Sequence, residues 1–528
     1  MRRVVIVGYG MAGARLADEL RRRDPDVSVT VVGAEPHAAY NRVLLSTVVA
    51  GAMTPESTRL HDEGWAAEHG IDLRLGTEVV GIDRTSRTVT ITPASATASA
   101  PASATASAPA SATASGPASA TGSSPAPAPA ASPAPASAEP GGAESVETIP
   151  YDALVLATGS VPWVPPAEGL LEDGKLAPGV VAFRTLDDCA QIANAAAKGA
   201  PVVVLGGGLL GIEAARGLAG RGCLVTVVHP VGHLMERQLD PGAGGVLART
   251  LGKLGIEFRL NAFAAKYLPG DGLVLDDGTH VPAELVVVSA GVRAETSLAV
   301  QAGLTVDRGI VVDDALRTSD PRIHAIGDCA QHPGTVSGLV QPAWDQAAVL
   351  ADRLTGANPA ARYSGTSVVT RLKARDVDLA ALGDVHTDVD CPDSEVLCFQ
   401  EPSRGRYAKL VLRDDRVTGA IVLGAPDAAA TITQLYDRGI PAPTDRLALL
   451  LGRALPAEAA SPADLPSSAV ICRCNTVSKG QIVSAWRAGA ETLPQLAEAT
   501  RATTGCGGCK DAVCGLLDWL GASQPAPA

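Results

Sequence analysis

Four cysteines near the C-terminus stand in two tight pairs, Cys472-Arg473-Cys474 and Cys506-Gly507-Gly508-Cys509, with 31 residues between them. Four thiolates so arranged can hold either a tetrahedral zinc ion or an iron–sulfur cluster. The first pair weighs against zinc, because zinc ribbons use Cys-x-x-Cys twice and Cys-x-Cys is unusual for them. Gly505, Gly507 and Gly508 let backbone N–H groups approach the sulfurs, a contact that tunes a cluster's potential. The remaining cysteines, Cys189, Cys223, Cys329, Cys391, Cys398 and Cys514, read as packing residues.

A second chemistry resides in two glycine loops. Val4–Val7 reads as a strand, Gly8-Tyr9-Gly10-Met11-Ala12-Gly13 as a turn, and the residues to about Arg23 as a helix. Gly8 makes the tight turn, Gly10 lets a pyrophosphate approach the backbone, and Gly13 lets helix pack on strand. The helix N-terminus offers free N–H groups and a partial positive charge to phosphates. A second strand, Val27–Val32, leads to Glu35, which can accept both hydrogen bonds of a ribose diol. The pattern recurs as Val202–Leu205, then Gly206-Gly207-Gly208-Leu209-Leu210-Gly211, then a helix opening with Ile212-Glu213. Here the second strand, Leu224–Val228, ends at His229, which can bond a ribose hydroxyl or simply cap the strand. Neither an acid nor an Arg stands there, so NADH and NADPH both stay open, with a lean to NADH because no Arg adjoins His229.

Two such folds in one chain suggest that one holds FAD and the other NAD(P)H. Two further segments order them. Ala157-Thr158-Gly159 follows the apolar strand Ala153–Leu156, and Ile323-His324-Ala325-Ile326-Gly327-Asp328 comes later. Both resemble the two-dinucleotide-binding-domain flavoprotein reductases. The resemblance implies a glutathione-reductase-like fold with two Rossmann-like domains. It places FAD on Gly8, Gly10, Gly13, Glu35, Thr158, Gly159, Gly327 and Asp328. NAD(P)H falls to Gly206, Gly208, Gly211, Glu213, His229 and Gly291. In that family the late Gly-Asp holds the ribityl chain, and a helix beginning near Pro342 aims its N-terminus at the flavin. No general base is assigned, since hydride transfer between nicotinamide and flavin is carried by the cofactors. A disulfide-reducing flavoprotein needs a Cys pair beside the flavin, whereas the first cysteine here is Cys189.

The unit from Val470-Ile471-Cys472-Arg473-Cys474-Asn475 to Thr504-Gly505-Cys506-Gly507-Gly508-Cys509 resembles bacterioferritin-associated ferredoxin. That implies a small helical fold with a 2Fe–2S cluster on Cys472, Cys474, Cys506 and Cys509. Ala34–Ser46, Gly159–Trp163, Val204–Glu213 and Leu234–Asp240 resemble the NAD(P)H nitrite reductase large subunit family, which places Arg42 near FAD. Those large subunits continue into a sirohaem and 4Fe–4S domain, whereas this sequence runs only 19 residues past Cys509. The shorter plan is similar to the electron-transfer subunits of bacterial assimilatory nitrate reductases, which serve a molybdopterin catalytic subunit. The resemblance implies electron flow from NAD(P)H through FAD and 2Fe–2S to that partner. A component feeding a separate sirohaem nitrite reductase subunit, or a general ferredoxin or rubredoxin reductase, are the alternatives.

The elements that must position these groups alternate β-branched runs with helical stretches, the signature of parallel α/β sheets. The expected organisation is an FAD-binding domain in parts (1–92, 148–194 and 309–358), an NAD(P)H-binding domain (195–308), and an α+β interface domain (362–448). A linker (449–466) and the 2Fe–2S module (467–520) close the chain. Residues 93–147 are a Pro/Ala/Ser/Thr tract expected to be disordered, an overgrown connection between two neighbouring strands, read as a neutral expansion with a partner-binding arm as the alternative.

At 528 residues and 46% hydrophobic content the chain can bury several cores. The net charge of −13, without a Lys/Arg run, argues against nucleic acid. No uncharged stretch of membrane-spanning length is present. Arg15, Asp18 and Glu19 arrive too soon behind Arg2-Arg3 for a signal peptide, so reduced thiols and a cytoplasmic location are expected.

Overall fold

The computed structural model describes residues 2–94, 146–453, 465–472, 477–503 and 509–522. The first unit is a five-stranded parallel sheet in the order Ile323–Ala325, Ala153–Leu156, Arg3–Val7, Ser28–Gly33 and Ile71–Leu75. Its central strands are buried on both faces, which is why Val4–Val7 and Ala153–Leu156 read as unbroken apolar runs. The second unit repeats the plan with Val180–Ala182, Leu285–Val288, Pro201–Leu205, Leu224–His229 and Ile256–Leu260, again all parallel. The antiparallel pair Ser160–Pro162 and Val292–Ala294 joins the two units.

A third unit is an antiparallel sheet in the order Val369–Arg371, Leu379–Gly383, Arg416–Leu423, Arg406–Arg413 and Glu395–Glu401. The helix Pro426–Arg438 covers it, burying Ala428, Ala429, Ile432 and Leu435 against the sheet's apolar face. Proline at its first turn and Gly439 in the left-handed region past its end mark the two helix limits. The C-terminal module has a two-stranded pair, Val470–Cys472 with Val477–Ser478, and helices Lys479–Arg487, Leu493–Thr500 and Lys510–Ala522. Ser478 and Thr492 start the first two of these with capping boxes. No helix among the described residues is long and apolar enough to cross a membrane.

The strands flanking the Pro/Ala/Ser/Thr tract, Thr88–Pro93 and Glu147–Pro150, pair antiparallel with Ile91 opposite Glu147. The ends of the tract are therefore brought together by the sheet itself. The expectation of disorder falls on residues 95–145, outside the described residues. Replacing 95–145 by a short Gly/Asn turn should leave flavin content unchanged. It should raise unfolding stability by up to about 2 kcal/mol, since closure entropy grows by about 0.6 kcal/mol per doubling of loop length. Denaturant unfolding measures this, and a clear loss of stability would show that the tract supports the fold.

Candidate functional site

Both glycine loops are built by the same close approaches. Gly8 has φ +108°, and a Cβ there would lie 2.2 Å from the Ala157 carbonyl oxygen. Gly206 has φ +119° and the same 2.2 Å relation to the Ser289 oxygen. Only glycine fits such a position. The third glycines fix helix to strand: a Cβ on Gly13 would sit 2.0 Å from the Gly8 oxygen, and on Gly211 2.1 Å from the Gly206 oxygen. The middle positions differ. At Gly10 only Arg42 Nε lies nearby, at 3.9 Å, and at Gly208 nothing lies within 4 Å. That open space sits at the N-termini of helices Met11–Arg23 and Leu209–Gly220, neither of which has a side-chain cap. Uncapped N–H groups facing free space make an anion cradle.

The first loop opens into a cavity of about 1220 Å³. Gly8, Gly10, Glu35, Arg42, Thr158, Gly159, Gly327 and Asp328 all line it, as does Glu213 from the second unit. Of the remaining expected residues, Gly13 lies behind the loop, while Gly206, Gly208, Gly211, His229 and Gly291 do not line the cavity, although Leu209 and Leu210 of the second loop do. Glu35 is ion-paired with Arg42 and accepts from Tyr40 Oη at 2.7 Å. Arg42 also donates to the Arg184 carbonyl at 3.1 Å and lies over the Tyr40 ring. Asp328 accepts from Arg184 Nη2 at 2.8 Å and from Ser160 Oγ at 3.1 Å. Gly327 N–H donates to the buried Gln346 Oε1 at 2.8 Å, pinning the Gly-Asp turn to the helix Val340–Thr355. The N-terminal residues of that helix line the cavity, two positions earlier than expected. A cavity of this size, with a cradle that Cβ atoms would fill and acceptors suited to sugar hydroxyls, fits a dinucleotide such as FAD.

Glu213 is buried, accepting from Ser46 Oγ at 2.7 Å and from the Lys373 N–H at 2.9 Å. Burial pushes its carboxyl up, opposed by Lys373 and Ser46. His229 is also buried, and its Nδ1 accepts from the Gly207 N–H at 3.1 Å. Through this bond it holds the loop. Sequence reasoning missed Arg184, Lys373, Ser46 and Gln346. Their partners are too remote along the chain to give a local signal.

Cys472 and Cys509 are buried, while Cys474 and Cys506 lie outside the described residues. Cys472 ends the strand Val470–Cys472, and Cys509 immediately precedes the helix Lys510–Ala522. Cys509 and Ile471 also line the large cavity. Thiol donors held in an apolar cluster, one of them at a helix N-terminus that favours thiolate, fit an iron–sulfur group. Arg501 donates to the Leu60 oxygen at 2.7 Å across this contact. The neighbouring His61, stacked on Trp65 at 3.6 Å, is pushed down to about 4 by burial and by Arg501.

The pyridine nucleotide-disulphide oxidoreductase family profile matches residues 2–347. A rubredoxin NAD+ reductase C-terminal domain profile matches 369–440, and a BFD-like [2Fe-2S] binding domain profile matches 470–519. The chain is 33% identical over 518 residues to a nitrite reductase [NAD(P)H] of Bacillus subtilis (strain 168), covering 97% of this chain and 57% of that protein. It is 32% identical over 530 residues to the assimilatory nitrate reductase electron transfer subunit of the same organism, covering 99% and 60%. It thus spans less than two thirds of the length of either relative. In fold it is similar to putidaredoxin reductase in its covalent complex with putidaredoxin, with a TM-score of 0.68 and 23% identity, covering 84% of this chain and 95% of that one.

The contrast between the loop glycines is testable. Gly10→Ala, with room for its methyl, should keep the thermal midpoint of the flavin-free protein yet weaken FAD retention by about tenfold or more. Gly13→Ala should lose the folded first unit altogether. Equal loss of fold in both, followed by circular dichroism and flavin absorbance, would contradict the cradle geometry.

Proposed function

Because the chain belongs to the pyridine nucleotide-disulphide oxidoreductase family, we propose that it takes electrons from NAD(P)H and delivers them singly to a separate metalloprotein. FAD supplies the conversion of a two-electron hydride donor into one-electron steps, and a 2Fe–2S cluster carries electrons one at a time. The residues do the holding. Gly8, Gly10 and Gly13, with the N-terminus of Met11–Arg23, receive the FAD pyrophosphate. Glu35 and Arg42 order the ribose end, and Thr158, Gly159, Gly327 and Asp328 hold the flavin side. Gly206, Gly208, Gly211 and Gly291 receive NAD(P)H, with His229 bracing the loop and Glu213 closing the nicotinamide end. Cys472, Cys474, Cys506 and Cys509 ligate the cluster.

One observation carries the reading: the cavity lined by the first glycine loop is also lined by Ile471 and Cys509 of the cysteine module. Residues proposed for the flavin and for the cluster therefore line the same space. The acceptor we favour is the molybdopterin subunit of an assimilatory nitrate reductase, supported by the similarity to an assimilatory nitrate reductase electron transfer subunit. The match of 369–440 to a rubredoxin NAD+ reductase domain supports a second reading, a reductase of small electron carriers. A component feeding a separate sirohaem nitrite reductase subunit is the third, supported by the nitrite reductase relative.

Cys506→Ser is the decisive variant. NADH-driven reduction of a two-electron dye should persist near the parent rate, and reduction of a one-electron protein acceptor should be lost. Undiminished protein-acceptor reduction would refute the relay. Molybdenum in the acceptor that co-purifies with the intact chain selects nitrate reduction, sirohaem selects nitrite reduction, and a small iron carrier selects the second reading.

A further inference from the structure

In the first unit the acid Glu35 stands two residues past the strand Ser28–Gly33, whereas the strand Leu224–His229 ends in histidine and is followed by Pro230-Val231, with no acid. The structure brings a carboxylate to that place from further along the chain. After His229 the backbone turns through Pro230–His233 and returns to the loop, where Met235 N–H donates to the Gly207 carbonyl at 2.9 Å. Leu234 and Met235 are fully buried and anchor the return. Met235 has φ +54°, a left-handed conformation costly for a non-glycine residue and maintained by its surroundings. The next residue is Glu236. Its Oε2 lies 3.2 Å from His229 Nε2. Both atoms are buried, and among the described residues neither makes a hydrogen bond of good geometry. The Glu236 side chain is 35% exposed, so it also keeps an open side.

Resting on the reading that this loop holds the nicotinamide dinucleotide, we infer that Glu236 is the residue that selects NADH over NADPH. In dinucleotide folds the adenosine ribose lies at the end of the second strand, beside the glycine loop. His229 braces the loop from that strand end, and Glu236 stands against His229. The His229 side chain holds the Glu236 carboxyl below the usual carboxylate range, so it is ionised at neutral pH. An ionised carboxylate accepts hydrogen bonds from ribose hydroxyls and has nothing to donate. A 2′-phosphate brought to the same place meets like charge. The cation next in sequence, Arg237, is exposed and acts on Glu236 more weakly than His229 does. Of the neighbouring charged groups, His233 is turned to the Leu239 carbonyl at 3.3 Å and Asp240 caps the helix Pro241–Gly252.

The test is equilibrium binding of the oxidised coenzymes, NAD+ and NADP+, to the flavin-loaded full chain by calorimetry, which requires no turnover. The parent protein should bind NAD+ at least about tenfold more tightly than NADP+. Glu236→Gln keeps an acceptor and removes the charge, so the ratio should narrow mainly through a gain in NADP+ binding. Glu236→Arg should reverse it, with the thermal midpoint of both variants retained. An unchanged ratio in both variants overturns the assignment. So does a parent preference for NADP+ that Arg237→Ala abolishes. Either result leaves the loop as the nicotinamide site, whereas binding of neither coenzyme to the parent overturns the assignment together with the reading beneath it.

Discussion

The function depends on one seam of apolar packing, where the cysteine module meets the first glycine loop. Met11, Ala343 and Trp344 of the first unit share a buried cluster with Cys472, Ile482, Cys509, Val513 and Leu516 of the module. Within the first unit's side of this cluster the Trp344 indole N–H donates to the Met11 carbonyl at 3.1 Å. Truncating a buried Trp to Ala typically costs about 3–5 kcal/mol, so this ring contributes to the stability of the cluster that the module shares with the first unit. Met11 is the first residue of the helix whose N-terminus forms the cradle. The packing that docks the module therefore also fixes the phosphate site. Here the approach of the cysteine module to the first unit comes from hydrophobic burial.

Charge in the large cavity follows the global balance. The chain carries −13 overall, and among the residues lining the cavity carboxylates outnumber Lys and Arg by seven to five. Of these cations, Arg42 is matched to Glu35 and Arg184 to Asp328, and Lys373 Nζ donates to the Val43 carbonyl at 3.0 Å. Such paired cations orient acceptors for sugar hydroxyls more than they attract phosphate. Attraction for the pyrophosphate falls to the uncapped helix N-termini, whose partial charge is fixed by the backbone and needs no side-chain titration. An acidic protein can thus hold anionic cofactors without a basic surface.

The glycine loops were legible in the sequence because their demands are local: a strand, a turn and a helix within about twenty residues, with glycine imposed by contacts inside that stretch. The Gly327-Asp328 turn and the cysteine pairs were legible for the same reason. The paired strands around 95–145 could be read because short β-branched runs stood on both sides. What sequence could not show were partners that meet only in three dimensions. Arg184 finds Asp328 across 144 positions, and Lys373 meets Glu213 across 160. Glu236 is a subtler case. It is only seven residues beyond His229, but a left-handed turn at Met235, which no motif announces, returns it to the strand end. Likewise the adjacency of Cys509 to the flavin-side cavity is a docking result that pair spacing does not encode.

Glu213 shows how the units are made interdependent. Its carboxylate belongs to the second unit's helix Leu209–Gly220, its hydroxyl donor Ser46 to the first unit's helix Leu45–Val49, and its N–H donor Lys373 to the third unit, just past Val369–Arg371. A buried carboxylate is costly unless its hydrogen bonds are made, and leaving one orphaned costs several kcal/mol. The same cavity wall carries Glu213 and Lys373 beside the flavin-lining residues. Separating any one unit would strip a partner from the buried acid, so the junction favours the state in which all three are assembled. Gly217 reinforces this, since a Cβ there would lie 3.2 Å from the Ala50 methyl carbon and push the two helices apart. The junction is thus held by a group whose burial would be unfavourable in any isolated domain.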